Sequence, residues 1–316
     1  MSRILVTGGA GFIGTNLCIK LLKQVHHVIA IDNLITSTDS NLKPLRTYSK
    51  FRFIKHDITV PLRNWKLEIR NWKFDFIYHL ACPTGVPNLT RLAEEMLLAC
   101  SLGTRNVLEL AKITKAKLLF TSSSEVYGDP QVFPQTENYT GNVDPTGIRS
   151  PYEEGKRFSE SLIQMYVRKY NVDAKIVRVF NTYGPSMSSS ETRVVAKFLS
   201  QAKHGKPLTV EGKGLQTRTF CYVDDLVDGL LNVMKKGKKG EVYNLGSHKE
   251  VRIIDLARLI IKTTGSKRKI KFVERPSHDH KRRHPSLKKA EKLGWKQKTT
   301  LKNGLQKTFR SYMTST

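Results

Sequence analysis

Eight residues near the start of the chain, Thr7-Gly-Gly-Ala-Gly-Phe-Ile-Gly14, restrict the fold more than any other segment. They follow a short apolar run, Ile4–Thr7, and lead into Phe12–Lys23, where Ile13, Leu17, Leu21 and Leu22 recur at helical spacing. A strand that turns straight into a helix through glycines presents backbone, rather than side chains, to whatever lies at the helix start. The free N–H groups and dipole of that helix favour an anion, and glycines at 8, 11 and 14 let a pyrophosphate come close. Asp32 ends the next apolar run, Val28–Ile31. A carboxylate there accepts hydrogen bonds from both ribose hydroxyls and repels a 2′-phosphate. The segment therefore reads as a dinucleotide site that favours NAD over NADP, with Gly8, Gly11, Phe12, Ile13, Gly14, Asp32 and Asn33 as contacts. A glycine triplet alone is weak evidence; the strand before it, the helix after it and the acid downstream supply the context.

The rest of the first half continues this alternation. Phe51–Ile54, Phe74–His79, Lys117–Thr121 and Ile176–Phe180 read as further strands, and Leu92–Ala111 and Tyr152–Tyr170 as helices. Strands alternating with helices imply an α/β, doubly wound parallel sheet of the Rossmann type, with helices on both faces. Asp57 and Ile58 after the third strand and Leu80 after the fourth join the expected cofactor contacts. Asp57 is read as a partner of the adenine amino group, with turn capping as the alternative. After Gly184-Pro185 the texture changes to short strands (Leu208–Val210, Thr219–Tyr222, Val242–Leu245, Ile270–Val273) among helices. This predicts a cofactor domain over 1–184 and a smaller C-terminal α/β lobe over 185–316 that binds substrate. Part of 219–235 is allowed to return to the first domain. A ligand is expected between them, at the carboxyl ends of the strands.

Charge and cysteine content narrow the class further. There are 54 Lys and Arg against 27 acids, a net charge of +27, and residues 235–310 alone hold 24 basic against 6 acidic residues. A lysine-rich solvated exterior accounts for this most simply. Attraction of an anionic substrate is the second reading. Nucleic-acid binding is the third and is not expected, because no helix-turn-helix, finger or RNA-reading signature accompanies the charge. Cys18, Cys82, Cys100 and Cys221 are scattered, so neither a disulfide framework nor a metal site is expected. The chain shows no signal peptide and no apolar stretch of spanning length, which leads to the expectation of a cytoplasmic protein without membrane attachment.

The candidate chemistry gathers at the expected carboxyl edge. Tyr152-x-x-x-Lys156 lies on a predicted helix, and a spacing of four sets both side chains on one face. An ammonium beside a phenol favours phenolate, so the Tyr152 pKa is expected to move toward neutrality. A phenolate can take a proton from a sugar hydroxyl as hydride leaves the same carbon. Ser122-Ser-Ser-Glu125 follows the fifth strand; a capped turn is its blander reading.

These residues carry a resemblance. With Thr7–Gly14, His79-Leu-Ala81, Ser122-Ser-Ser-Glu-Val-Tyr-Gly128, Tyr152-x-x-x-Lys156 and Asn181-Thr-Tyr-Gly-Pro185, the chain resembles the extended short-chain dehydrogenase/reductases over nearly its whole length. That resemblance implies tightly bound NAD, a nucleotide-sugar substrate and a homodimer formed through two helices of each copy. It implies that Ser123, Tyr152 and Lys156 form the catalytic triad, with Tyr152 as base and Lys156 also holding the nicotinamide ribose. Asn181 would contact the substrate diphosphate.

Residue 125 indicates the branch. Ser124-Glu125 is similar to the UDP-glucuronate decarboxylases (UDP-xylose synthases), where 4-epimerases carry a small neutral residue and 4,6-dehydratases an Asp-Glu pair. Gly128-Asp-Pro130, Tyr152-Glu-Glu-Gly-Lys-Arg157, Arg193-Val-Val195, Gln216-Thr-Arg218 and Arg283-His-Pro-Ser286 extend the likeness. It implies Glu125 and Arg283 as further catalytic residues that steer the substrate carboxylate or deliver a proton to C5. It also implies Pro83, Asn181, Arg193 and Arg218 as substrate contacts alongside them. Leu89 and Cys100 stand where that pattern carries Tyr and Asn. The implied reaction oxidises C4 of UDP-glucuronate, loses carbon dioxide from the resulting β-keto acid, and reduces C4 again to give UDP-xylose. A 4-epimerase or 4,6-dehydratase of the same kind is the alternative.

Overall fold

A computed structural model of the chain describes residues 1–65, 69, 72–187, 192–274 and 282–314. Its centre is a seven-stranded sheet. The strands are β1 (Arg3–Thr7), β2 (His27–Asp32), β3 (Phe51–Lys55), β4 (Phe76–His79), β5 (Lys117–Ser123), β6 (Ala174–Val179) and, much later in the chain, β11 (Val242–Leu245). Their order across the sheet is β11-β6-β5-β4-β1-β2-β3, and every pairing is parallel. This is the expected doubly wound Rossmann-type sheet. The order reverses between β1 and β4, so the connections that leave those two strands diverge and open a crevice above them.

The strand sequences explain why both faces are covered. In β1, Ile4 and Val6 point to one side and Leu5 to the other, as a period of two requires. Ile4 and Val6 pack with Leu17 and Leu21 of helix Phe12–Lys23 and with Leu226 and Leu230 of helix Val223–Lys236. Leu5 packs with Val107 and Leu108 of helix Thr104–Thr114 and Ile163 of helix Ser150–Tyr170. Parallel strands buried on both faces need near-continuous apolar runs, which is what these strands are.

Three features depart from the sequence reading. Val242–Leu245 is an edge strand of the large sheet, paired to β6 with Val242 opposite Ile176, and not part of a second lobe. The preceding helix, Val223–Lys236, packs on helix Phe12–Lys23. The single strand read over Thr219–Tyr222 is two strands on either side of Phe220. The first, β9 (Thr217–Thr219), runs antiparallel to β12 (Glu250–Arg252); the second, β10 (Cys221–Tyr222), pairs with β7 (Thr182–Tyr183). A third small pair joins β8 (Leu208–Glu211) to β13 (Ile270–Val273).

The third departure is inside the helix read as Leu92–Ala111. It is helical over Ala93–Leu98, widens into a π turn at Ala99–Gly103 and resumes at Thr104–Thr114. Hydroxyl groups engage carbonyls along the widened stretch: Ser159 donates to the Cys100 carbonyl at 2.7 Å and Ser101 to that of Leu97 at 2.7 Å. Such wide turns are favoured where a helix must place a residue against a functional site. Among the described residues no helix is long and apolar enough to cross a membrane.

Candidate active site

One cavity of about 1850 Å³ runs along the carboxyl edge of the sheet, and every catalytic, cofactor and substrate candidate named from the sequence lines it. Its floor is the turn from β1 to helix Phe12–Lys23. Gly8 has φ +71°, and a Cβ there would meet the Ala81 backbone nitrogen at 2.8 Å. At Gly14 a Cβ would sit 2.1 Å from the Gly8 carbonyl oxygen and 2.8 Å from the Gly9 Cα. Gly11 precedes the helix with no side-chain cap, so the first amides of the helix remain free for an anion. Phe12 and Ile13 lie half-buried at the same end. A Gly14→Ala protein is therefore expected to lose NAD affinity and about 1–3 kcal/mol of stability, because the clash is with backbone and cannot be relieved by a rotamer. Calorimetric NAD titration and thermal melting together test this; unchanged values for both would show that the turn is looser than described.

Asp32 is held in a fixed orientation. Its carboxylate accepts from the Ala10 amide at 3.1 Å, the Leu34 amide at 2.9 Å and the Ser37 hydroxyl at 2.8 Å. The side chain thus sits beside the glycine turn, where a ribose would lie. Asn33 donates to Asp57 at 2.9 Å, and Asp57 also accepts from the Thr59 amide at 2.8 Å and hydroxyl at 2.7 Å. Burial works to raise the Asp57 pKa, but the bonds from Thr59 and Asn33 outweigh it and leave the carboxyl below its usual range. Asp57 thus caps a turn and also lines the cavity. Ile58 lies against Gly103, and Leu80 hangs its amide on the Thr7 hydroxyl at 3.2 Å. Under the crevice, Thr7 and His79 bridge β1 to β4 at 2.7 Å, and burial with the Lys156 charge drives the His79 pKa down to about 3. Free amides, absent Cβ atoms and an oriented carboxylate together fit a dinucleotide.

The reacting groups stand over the ends of β5 and the adjacent helix. β5 continues through Ser123, so Ser122 and Ser123 belong to the strand and do not follow it. Ser122 is turned to Glu160 at 2.6 Å, while Ser123 caps the tight turn Ser124–Tyr127 by accepting from the Glu125 amide at 3.2 Å. That cap fixes where Glu125 points. Helix Ser150–Tyr170, opened by Pro151 in its first turn, carries Tyr152 and Lys156 on one face. Lys156 donates to the Thr121 carbonyl at 2.9 Å, and its ammonium lies 4.6 Å from the Phe120 ring and 5.9 Å from the Tyr152 ring.

The Tyr152 pKa does not move as expected. Burial pushes it up to about 12; the Lys156 charge and a bond with Ser123 act the other way but do not win, and Cys82 and Glu125 add to the rise. The phenol is therefore protonated at neutral pH in the cofactor-free protein. A spectroscopic titration comparing the wild-type protein with Tyr152→Phe is expected to show no tyrosinate assignable to Tyr152 until the pH passes about 10. A Tyr152 signal near neutrality would contradict this. Lys156 keeps its charge: burial works against it, but Cys82, Cys100, Tyr152 and Glu160 raise its pKa.

Glu125 sits in a cationic clamp. Arg283 meets it with two nitrogens, one of them at 2.8 Å, and Arg149 pairs with the same carboxylate. Arg149 is itself held to Glu153 at 3.1 Å. Burial would raise the Glu125 pKa, but Arg283 and Arg149 override it and hold the carboxyl well below the usual carboxylate range. The Arg283 side chain is 7% exposed, and its buried Nε has no hydrogen-bond partner among the described residues. The two guanidinium groups are balanced by Glu125 and Glu153, so the clamp is neutral as a whole, with Glu125 shared between Arg149 and Arg283. The sequence reading missed Arg149. Its signal was its place three residues before Tyr152, at the start of the same helix.

The remaining substrate candidates also line the cavity. Asn181 follows β6, and its carbonyl accepts from the Cys221 amide at 2.9 Å. Arg193 opens helix Val194–Lys203 and lies 5.8 Å from the Phe12 ring. Arg218 is on β9 and donates to the Thr217 carbonyl at 2.8 Å. Pro83 is buried in the wall after β4. Cationic side chains in the lining suit phosphates.

Comparison with known proteins agrees with this geometry. Residues 4–246 match the NAD dependent epimerase/dehydratase family. The chain is 44% identical over 305 residues to UDP-glucuronic acid decarboxylase 6 of Arabidopsis thaliana, covering 96% of this chain and 86% of that one. Among solved structures it is similar to UDP-glucose 4-epimerase with UDP-glucose from Thermotoga maritima, with a TM-score of 0.90, 28% identity and 98% of each chain covered. It is also similar to UDP-glucuronic acid 4-epimerase from Bacillus cereus in complex with UDP-glucuronic acid and NAD. There the TM-score is 0.88 at 30% identity, covering 98% of this chain and 99% of that one.

Proposed function

The chain belongs to the NAD dependent epimerase/dehydratase family, and from that premise we propose that it converts UDP-glucuronate to UDP-xylose and carbon dioxide. The observation that carries this reading is the clamp of Arg149 and Arg283 around Glu125, beside Tyr152 and Lys156. A buried guanidinium, Arg283, whose Nε has no hydrogen-bond partner among the described residues, suits a uronate carboxylate better than the neutral hydroxymethyl group of a hexose.

The glycine turn, Asp32 and Lys156 would hold NAD, which would supply reversible hydride transfer at C4. With the positive nicotinamide ring added to Lys156, the Tyr152 pKa would fall from its raised value in the cofactor-free protein, and the Tyr152 phenolate would take the proton from the C4 hydroxyl. The product is a 4-keto uronate, whose C5–C6 bond breaks easily because the electron pair passes into an enolate. Tyr152 and Ser123 then donate hydrogen bonds to the oxygen on C4. Of the two roles open to Glu125, its depressed pKa favours one: a carboxylate held ionised is an acceptor, so it orients Arg283 and does not protonate C5. Arg283 steers the substrate carboxylate, and a solvent proton reaches C5. Asn181, Arg193 and Arg218 hold the diphosphate.

A 4-epimerase acting on the same uronate is the second reading, favoured by the likeness to the Bacillus cereus enzyme. Purified protein with UDP-glucuronate and catalytic NAD separates the two by product mass. The proposal expects loss of carbon dioxide; unchanged mass with a new stereoisomer would replace it by epimerisation. We also assign a homodimer, supported by exposed apolar side chains Leu97, Leu102 and Phe158 on the two long helices. Sedimentation that gave a monomer would remove it.

A further inference from the structure

Two cysteines that are 18 positions apart in the chain meet at the edge of the cavity, with Sγ atoms 3.6 Å apart. Cys82 lies in the loop after β4, half-buried, and lines the cavity between Ala81 and Pro83. Cys100 is fully buried in the π turn Ala99–Gly103, and that wide turn is what carries its side chain toward β4. Opposite it, helix Ser150–Tyr170 has Gly155, where an added Cβ would stand 3.3 Å from the Cys100 sulfur. The pair thus occupies a made space beside Lys156. Neither thiol has a part in the proposed reaction. Cys18 and Cys221 differ from them: each is buried without a thiol neighbour among the described residues.

We propose that Cys82 and Cys100 form a redox-active dithiol that closes to a disulfide when peroxide enters the cavity. Closure to bonding distance needs an approach of only about 1.5 Å, within reach of side-chain rotation. Peroxide reaches the cavity-lining Cys82. Its thiolate attacks one peroxide oxygen, the O–O bond breaks, and hydroxide leaves and takes up the thiol proton as water. Cys100 as thiolate then attacks the Cys82 sulfenic sulfur and expels a second hydroxide, protonated by the proton Cys100 lost. Two thiols and one peroxide become one disulfide and two waters. The bond between the thiols lowers the Cys100 pKa and raises that of Cys82, burial raises both and the Lys156 ammonium lowers both, so Cys82 becomes the attacking thiolate by passing its proton across the 3.6 Å contact to Cys100. The disulfide ties the cavity wall at 81–83 to the π turn and removes an anionic sulfur from beside Lys156. The resulting loss of turnover rests on the proposed reaction, whereas the bond itself does not.

The test is a peptide map of the whole protein after peroxide treatment, alkylation of remaining thiols and digestion without reduction. The expected result is a cross-linked species joining the Cys82 and Cys100 peptides, two hydrogens lighter than their sum, which dithiothreitol separates. In Cys100→Ser the oxidation is expected to stop at a Cys82 sulfenic acid that dimedone captures. Recovery of both cysteines as alkylated thiols, irreversible over-oxidation of Cys82 in the wild-type protein, or cross-links only between two copies would each overturn the proposal. None of these readouts depends on whether UDP-glucuronate is the substrate.

Discussion

Tyr152→Phe is expected to lower turnover by roughly 10²–10⁴-fold while leaving NAD affinity close to that of the wild-type protein. The hydroxyl is the only group removed, and it is the atom assigned to exchange the proton with the C4 oxygen. The ring stays in place, so the packing around Lys156 is preserved. Lys156 keeps its bond to the Thr121 carbonyl and its place over the Phe120 ring, and with them its assigned hold on the cofactor ribose. Single-turnover mixing with UDP-glucuronate would show no transient NADH absorbance in the variant. A variant that turned over at the wild-type rate would remove Tyr152 from the chemistry. One that lost NAD binding as well would make its role structural.

Arg283→Met is expected to have the second large effect, and a different one. Glu125 would keep Arg149 but lose its bidentate partner in a buried setting. Removing one member of a buried pair costs about 3–5 kcal/mol. Because Arg149 remains, the loss of stability should fall at the lower end of that range. Affinity for UDP-glucuronate should fall much more than affinity for UDP, since only the former carries the carboxylate that Arg283 is assigned to hold. NADH formation should persist in part while UDP-xylose formation collapses, which separates oxidation at C4 from loss of carbon dioxide. Equal weakening of UDP and UDP-glucuronate would contradict the assignment of Arg283 to the carboxylate.

Much of the fold could be read from the sequence because its signals are local. Helix Phe12–Lys23 and strand Val242–Leu245 have the bounds that apolar spacing predicts. The misplacement of Val242–Leu245 has a physical reason: a four-residue apolar run states that it is buried but not which strand it pairs with. Phe220 hides a break between two strands because its side chain is apolar like its neighbours, and the change of partner is tertiary. The π turn is invisible to a period of 3.6, since it depends on hydroxyls such as Ser159 that come from another helix.

Within the site, the glycine turn and Asp32 were legible because their spacing is short and fixed by backbone geometry. Arg149 was not, because a charged residue just before a helix looks like any solvated one until Glu125 is brought to it. The sign of the Tyr152 shift was misjudged for a related reason. Sequence shows the lysine four residues away but not the burial that outweighs it. Likewise Cys82 and Cys100 read as scattered, and only the packing of the π turn against β4 makes them neighbours.

The measurement that tests the central claim most directly uses UDP-glucuronate deuterated at C4, with catalytic NAD in ordinary water. Transient oxidation with internal return predicts a UDP-pentose that has lost carbon dioxide, keeps the deuterium at C4 and carries one hydrogen from solvent at C5. A product of unchanged mass, or a pentose in which the C4 deuterium has exchanged with solvent, would contradict it.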